Sequence, residues 1–125
     1  MQYVVRLDEL PAERTADGSV VRNLQGEGYD LVGSSLILGE MAPGYGPPLH
    51  RHPVEEVFLL MRGQATFTVG DGDVEVGAGN IVVVPANVPH RFVVSGEEPL
   101  FMHAFLASPR IDTEYLAPSD SSEPR

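Results

Sequence analysis

The sequence predicts an all-β fold, and three observations support this prediction. Apolar residues fall in short runs of four to eight, as strands require, and not at helical spacing over long windows. The 13 Gly and 11 Pro residues are scattered between these runs as turn signals. In one run Ala65, Phe67 and Val69 alternate with polar neighbours, which predicts a strand with one face in the core. Several short, evenly spaced strands are typical of a β-sandwich or β-barrel.

Nine segments fit this pattern, because aliphatic, β-branched or aromatic residues dominate each of them. They are residues 3–6, 19–24, 31–38, 54–62, 64–69, 74–76, 81–84, 91–94 and 100–106. The Gly-Asp-Gly-Asp sequence at residues 70–73 predicts a tight hairpin turn between two of them. Residues 11–18 and 111–116 are the candidates for single helical turns, and no segment supports a long helix.

The chain length and its last residues define the predicted domain organisation. A chain of 125 residues is long enough for one domain with a single core, which we place at residues 1–116. Residues 117–125 are rich in Pro, Ser, Asp and Glu, so a disordered tail is predicted there.

Charge and cysteine content narrow the predicted partners and compartment. The net charge of −10 repels phosphate backbones and anionic membrane surfaces, so neither nucleic acid nor a membrane is an expected partner. Without cysteine, disulfides and zinc fingers are excluded, and a reducing cytoplasm is the default expectation. The first residues lack a signal-peptide pattern, and no apolar run approaches the roughly 18 residues of a membrane span.

A pair of histidines with a nearby carboxylate forms the first half of a candidate metal site. His50 and His52 are two residues apart, and Glu56 follows four residues later. Since a β-strand sends residues i and i+2 to the same face, both imidazoles can point into one site. Glu56 has the same parity, although Pro53 removes a backbone donor and is expected to bend the chain between them.

A third histidine follows a predicted turn later in the chain. His90 comes just after Pro85, Asn87 and Pro89, all of which favour turns. With His50, His52 and Glu56 it would complete a set of three imidazoles and one carboxylate. This mixed nitrogen and oxygen donor set suits one divalent transition metal, namely Fe, Mn, Ni, Co, Cu or Zn.

Two spaced motifs contain these four residues. The first reads Gly44-x5-His50-x-His52-x3-Glu56-x6-Gly63, and the second reads Gly79-x5-Pro85-x-Asn87-x2-His90. They resemble the two motifs of the cupin family, and the resemblance covers about residues 36–106. Two positions depart from the family pattern, since Asn87 replaces its usual Gly and Val94 its usual Asn. Asn tolerates a left-handed backbone, so the turn should survive, and Val94 is not at a ligand position.

The resemblance implies a fold and an assembly. Cupins are double-stranded β-helix jelly rolls in which the motif strands line the mouth of a small barrel, so a small single-domain metal-binding cupin is expected. Relatives commonly form homodimers by strand exchange or sheet packing. Because open strand edges need covering, we predict pairing across a two-fold axis through Val4, Val5, Val20 and Val21.

Two further residues are candidate catalytic groups. If Phe101, His103 and Phe105 face inward, His103 lies in the pocket as a proton shuttle or substrate contact. If their neighbours face inward instead, His103 is a solvated strand residue, and parity leaves both readings open. Tyr45, in a loop rich in Gly and Pro, could cover the pocket mouth or simply pack over the loop.

The function predicted first is a metal-dependent oxidoreductase of the dioxygenase type acting on a small organic substrate. An isomerase or decarboxylase of the same family is an alternative. A non-catalytic cupin module that binds a small ligand or a metal is another, because fold analogy does not by itself separate these classes.

Overall fold

The structure is a computed structural model that describes residues 3–117. These residues form eleven strands in two antiparallel sheets. The first sheet contains, in spatial order, β1 (Ala12–Arg14), β2 (Val20–Leu24), β3 (Ser35–Met41), β10 (Leu100–Leu106), β5 (Glu56–Arg62) and β8 (Ile81–Val84). The second sheet contains β11 (Glu114–Tyr115), β4 (His50–Arg51), β9 (His90–Ser95), β6 (Gln64–Val69) and β7 (Gly72–Gly77). Short 3-10 helices span Leu7–Glu9 and Gly26–Tyr29.

The core lies between the two sheets and is built by alternation along each strand. On β6, Ala65 and Phe67 are fully buried, as their period-two pattern predicts. Phe67 packs against Phe58 of the first sheet with ring centroids 5.2 Å apart, and against Phe92 of β9 at 5.3 Å. Edge-to-face and tilted contacts at this distance stabilise aromatic clusters beyond the area they bury. This aromatic layer joins the two sheets.

The all-β prediction is confirmed, and the hairpin and three strands appear where they were expected. The predicted strands 64–69, 81–84 and 100–106 match β6, β8 and β10 to the residue. Val69 pairs with Gly72 across a two-residue turn in which Gly70 has a φ of +64°. The other confirmed strands begin or end a few residues from their predicted bounds, as element ends often do.

Three predictions about the chain ends are wrong. Residues 3–6 form no strand, because the chain turns directly into the 3-10 helix at Leu7–Glu9. The two suggested helical turns contain β1 and β11, which pair with β2 and β4. Local sequence lacks this information, because the backbone bonds of β1 and β11 go to other parts of the chain. β2 is also no open edge, since it lies between β1 and β3.

Two other expectations concern the C-terminal tail and membrane-spanning helices. The predicted tail lies outside the described residues except for Ala117. Within residues 3–117, no helix has the length and apolar character needed to cross a membrane.

Candidate metal centre

The two sheets each contribute to one buried polar cluster. β4 pairs with β9 so that His50 lies directly opposite His90, and His52 follows immediately after β4. Glu56 is the first residue of β5 in the other sheet. All four side chains are buried, and one ligand atom from each lies within 4.8 Å of the others. The structure thus brings together the four residues that the sequence singles out.

Backbone carbonyl groups fix the orientation of all three imidazole rings. Nδ1 lies 2.8 Å from the Pro48 oxygen in His50, 2.8 Å from the Asp112 oxygen in His52 and 2.9 Å from the Val88 oxygen in His90. A carbonyl oxygen only accepts, so each Nδ1 must carry the hydrogen and donate it. In the neutral rings, Nε2 is therefore the atom with a free lone pair, which is the arrangement of metal-binding histidines.

Two of these Nε2 atoms, those of His52 and His90, face the carboxylate of Glu56. Oε1 of Glu56 is 2.9 Å from Nε2 of His90 and 3.2 Å from Nε2 of His52. Nε2 of His52 is buried and makes no hydrogen bond with the described residues. A neutral Nε2 and a carboxylate oxygen are both acceptors, so their approach is stable only with a cation between them, either protons or a metal ion.

The spacing also suits a single ion. Ligand atoms bound at about 2.1 Å to one ion lie roughly 3 Å apart at right angles and about 4.2 Å apart across it. The observed separations of 2.9 Å and 3.2 Å, within a cluster spanning at most 4.8 Å, fall close to this range. The donor set and its geometry therefore fit a divalent transition metal.

Burial and mutual contact shift the pKa values within the cluster. Burial lowers the pKa of His50 from 6.5 to about 4, so this ring stays neutral at physiological pH. Burial opposes charge on His52 and Glu56 too, but it is outweighed by their contact with each other, by the Asp112 carbonyl beside His52 and by His90 beside Glu56. The pKa of His52 is consequently raised and that of Glu56 lowered. In the metal-free protein, His52 and Glu56 thus favour an ion pair at the point where a metal would lie.

The cluster opens onto a cavity of about 370 Å³ between the sheets. His50, His52 and Glu56 line one part of it, beside Phe58 and Phe92. Phe58, which lies two residues after Glu56 on the same strand face, lines the cavity, whereas Leu60, two residues further, is fully buried in the core. A small organic molecule could reach the metal ligands through this cavity.

A profile of the cupin domain family matches residues 37–106, which is more than half of the chain. The chain belongs to the cupin family. It is 36% identical over 88 residues to an uncharacterised protein of Streptomyces coelicolor, covering 70% of this chain and 79% of that one. It is 30% identical over 95 residues to an uncharacterised protein of Methanocaldococcus jannaschii, covering 74% and 76%.

Solved structures show the same fold at low sequence identity. Oxalate decarboxylase from Bacillus subtilis superimposes with a TM-score of 0.78 at 19% identity. The similarity covers 88% of this chain but 31% of that longer chain. A conserved protein with a double-stranded β-helix domain from Klebsiella pneumoniae gives a TM-score of 0.74 at 18% identity, covering 94% and 99%. At this identity the likeness establishes the double-stranded β-helix fold alone.

The two departures from the cupin motifs are structurally accommodated. Asn87 adopts a φ of +66°, the left-handed conformation expected where the family usually has Gly. Its backbone N–H donates to the carbonyl oxygen of His52 at 2.7 Å, which ties the turn to the site. Val94 is buried in the core and donates its backbone N–H to Tyr45, so it supports the loop without approaching the ligands.

Tyr45 lines the cavity, and its loop is held rigidly against β9. The backbone N–H of Gly44 donates to the Val94 carbonyl oxygen, and the N–H of Val94 donates to the Tyr45 carbonyl oxygen. A Cβ on Gly46 would collide with the Phe92 carbonyl oxygen. Burial raises the pKa of the Tyr45 phenol, with Glu13 and Asp17 adding to the shift. The hydroxyl therefore keeps its proton at neutral pH and can serve as a donor.

The structure does not bring His103 to the cavity. Its neighbours Met102 and Ala104 are buried and line the cavity, so His103 lies on the opposite face of β10. Of the two orientations that the sequence leaves open, the outward one is present. Arg51 likewise points away from the ligands and pairs with Glu114 at 2.8 Å. Glu55, whose parity is opposite to that of Glu56, is exposed and lies outside the cluster.

Sequence reasoning missed the contribution of the chain ends to this site. Glu13 and Thr15 line the cavity near its mouth, and so do Thr113 and Tyr115 from the other end. The carbonyl of Asp112 orients His52. A backbone carbonyl leaves no residue-type signal, although the isolated Tyr115 in a polar segment was a visible clue.

Proposed function

We propose that this cupin is a metal-dependent oxidoreductase of the dioxygenase type, acting on a small, uncharged and largely apolar organic molecule. His50, His52, Glu56 and His90 would hold one divalent transition metal. The observation that carries this proposal is the approach of two acceptor Nε2 atoms to Glu56 Oε1, with every Nδ1 hydrogen already committed to a carbonyl. A bound metal ion removes this conflict between acceptors.

The residues around the cluster suit redox chemistry with a small substrate. When bound, the metal would supply Lewis acidity and a redox centre. Phe58 and Phe92 line the adjoining wall and limit the access of water to the ligands. Tyr45, whose hydroxyl stays protonated, is placed on the cavity wall where it could donate a hydrogen bond or a proton to substrate.

The cavity lining supports the proposed substrate class. Phe58, Phe92, Ile37, Met41 and Met102 give it an apolar wall. Among the described residues that line it, none is an arginine, and the sequence contains no lysine. The charged side chains that line it are the carboxylates Glu13 and Glu56. With a metal bound, the ion would be the positive charge nearest to an anionic substrate, and no arginine among the described lining residues would add to it, whereas an uncharged substrate would lose little on entering.

A second candidate is the decarboxylation or oxidation of a small dicarboxylate. The observation that favours it is the structural similarity to oxalate decarboxylase of Bacillus subtilis, whose Mn(II) centres have been characterised. The absence of arginine from the described cavity lining argues against it. A third possibility is a protein that carries a metal or ligand without turnover. It would use the same four-residue cluster, and kinetic measurements would distinguish it from an enzyme.

The test is oxygen uptake by protein loaded with Fe or Mn, across phenols, diketones, thiols, keto acids and oxalate. We expect dioxygen consumption with an uncharged substrate, and its loss in Glu56→Gln. Glu55→Gln, one residue away and exposed, is the matched control and should remain active. Turnover of oxalate would favour the second candidate. Thermal stabilisation by ligands without turnover under any metal would favour the carrier.

Two further expectations accompany the proposal. A cytoplasmic location and a homodimer both remain predictions. The pairing of Val20 and Val21 across a two-fold axis loses support, because β2 is flanked on both sides within the chain.

A further inference from the structure

The inner face of the first sheet is polar at both ends of the cavity and apolar between them. Phe58 lies two residues after Glu56 on β5, and the row of cross-strand neighbours that starts at Phe58 ends at Asn23 on β2. On β1, Glu13 lies in register with Val21 of β2. All of these residues line the cavity. The metal cluster therefore lies at one end of an apolar wall, and Asn23 and Glu13 lie at the other, which we call the distal end.

The strand order sets the length of a molecule that can reach both ends of the wall. In the first sheet β2 is three strand spacings from β5, and β1 is four. With strands about 4.8 Å apart, the path along the sheet from Glu56 is about 14 Å to Asn23 and about 19 Å to Glu13. The straight path is shorter, because both ends face one cavity. Only an elongated molecule can contact the metal ligands and the distal end together.

Polar groups at the distal end are not engaged within the protein. The Glu13 carboxylate, the Asn23 amide and the Tyr45 hydroxyl line the cavity and make no hydrogen bond or ion pair with residues 3–117. The neighbouring Thr15 differs, because its hydroxyl donates to the carboxylate of Asp17. Groups that line a cavity and have no internal partner can bind a ligand in place of water.

Tyr45 and Glu13 face the same part of the cavity. Burial is the main cause of the raised pKa of the Tyr45 phenol, and the negative charge of Glu13 is the next. The backbone of Tyr45 is fixed on both sides, since its N–H donates to the Ala42 carbonyl at 3.0 Å and its carbonyl accepts from Val94 at 2.8 Å. The distal end therefore presents a proton donor and a carboxylate close to each other.

This pair of groups suits one kind of functional group. A carboxylate only accepts hydrogen bonds, and a protonated phenol can donate one. An alcohol hydroxyl has one hydrogen to donate and two lone pairs, so it can satisfy Glu13 and Tyr45 at once. A ketone has no hydrogen for Glu13, and an ammonium group has no lone pair for Tyr45. A carboxylate on the ligand would be repelled by Glu13.

We propose that Glu13 and Tyr45 form a subsite for an alcohol hydroxyl at the end of the substrate away from the metal. The substrate hydroxyl donates to Glu13 and accepts from Tyr45. The apolar part of the molecule lies along Ile37 and Phe58, and its other end reaches the metal centre. The inference rests on the proposed function and narrows its substrate class to an elongated, uncharged molecule with a distal alcohol. Glu13 determines specificity, since it lies at the far end of the wall from the metal ligands.

Isothermal titration with a matched pair of probes tests the subsite. The probes are 4-(3-hydroxypropyl)catechol and 4-butylcatechol, which have equal length and differ only in the terminal hydroxyl or methyl group. The catechol oxygens of both can chelate a divalent metal. Binding is measured to Mn²⁺-loaded protein without dioxygen, so that no turnover occurs. Elemental analysis after each titration checks that the metal is retained.

Substitutions at the distal end should affect only the hydroxyl probe. Glu13→Met keeps the length of the side chain and removes the carboxylate, so it should weaken binding of the hydroxyl probe about three- to tenfold. Tyr45→Phe should do the same. Neither should change the affinity for 4-butylcatechol more than about twofold. Glu40→Met is the matched control, because exposed Glu40 lies on the outer face of the same sheet, and it should change neither affinity.

A third probe distinguishes an alcohol subsite from a general cation site. If 4-(3-aminopropyl)catechol, whose terminal group is an ammonium, binds more tightly than the hydroxyl probe and is insensitive to Tyr45→Phe, the alcohol assignment is overturned. Failure of the hydroxyl probe to bind, or equal effects of Glu13→Met on the hydroxyl and butyl probes, would also overturn it.

Failure of the subsite and failure of the proposed function give different results. Glu13-dependent binding of the hydroxyl probe by a protein that never consumes dioxygen would support the subsite and contradict the oxidoreductase. Dioxygen consumption with equal effects of Glu13→Met on both probes would support the oxidoreductase and overturn the subsite.

Discussion

The middle of the chain and its two ends contribute differently to the candidate site. The motif segment, residues 44–94, contains all four proposed metal ligands and the aromatic layer beneath them. The terminal segments, residues 12–23 and 111–115, contribute carboxylate, hydroxyl, amide and phenol groups to the cavity wall. The difference suggests that metal chemistry and substrate choice reside in separate parts of the chain.

The largest expected effect follows from a substitution in the motif segment. His90→Ala should lower metal occupancy sharply and abolish turnover, because it removes the imidazole nearest to Glu56. The β-rich circular dichroism should persist. His103→Ala, a histidine outside the cavity, should leave metal content unchanged when measured by elemental analysis. Full metal occupancy in His90→Ala would refute the assignment.

Acid should lower the metal occupancy of the motif segment, and it should also lower the stability of the metal-free protein. Metal binding requires neutral imidazoles, so occupancy should fall below about pH 5 to 6, beginning with His52, whose pKa is raised. In the metal-free protein, the folded pKa of His50 lies at about 4, below its ordinary value of 6.5. The unfolded chain therefore binds more protons, and the stability present above pH 6.5 is lost as pH falls through 4.

Other groups in the cluster adjust this pH dependence. The lowered pKa of Glu56 acts in the same direction as that of His50, whereas the raised pKa of His52 favours folding at lower pH. Urea midpoints of metal-free protein between pH 8 and pH 4 measure the sum. The difference in midpoint between wild-type protein and His50→Gln isolates the contribution of His50, and a difference that does not change with pH would contradict the burial of a neutral His50.

The terminal segments should show a smaller effect on the metal. A chain ending at Ile111 loses the Asp112 carbonyl that orients His52, so metal affinity should fall roughly 10- to 100-fold. A chain ending at Ala117 keeps this carbonyl and β11 and is the matched control. Isothermal titration with Mn²⁺ measures both. Equal affinities in the two truncated proteins would show that the terminal segment does not support the ligand.

The smallest effect is expected at Tyr45, where the two parts of the chain meet. Tyr45→Phe keeps the ring beside Phe92 and removes the hydroxyl, so kcat/KM should fall about three- to tenfold at constant metal content. Tyr115→Phe, which removes a more exposed hydroxyl, should change it less. A wild-type kcat/KM in Tyr45→Phe would restrict this residue to packing.

The same division explains what the sequence could predict. Period-two alternation and the His-x-His spacing are local, so the core position of Phe67 and the orientation of His50 and His52 could be inferred directly. Asn87 was predictable because a left-handed turn restricts residue type. The role of Asp112 was not, since it acts through its backbone. Nor was the orientation of His103, because β10 carries apolar residues on both faces.

Anomalous X-ray diffraction from crystals grown with Mn²⁺ tests the central claim most directly. The account predicts one anomalous peak per chain. The Mn²⁺ ion at this peak should be coordinated by Nε2 of His50, His52 and His90 and by the Glu56 carboxylate, at about 2.1 Å to 2.2 Å from each. A chain without a peak at this position, or a peak coordinated by other side chains, would contradict it.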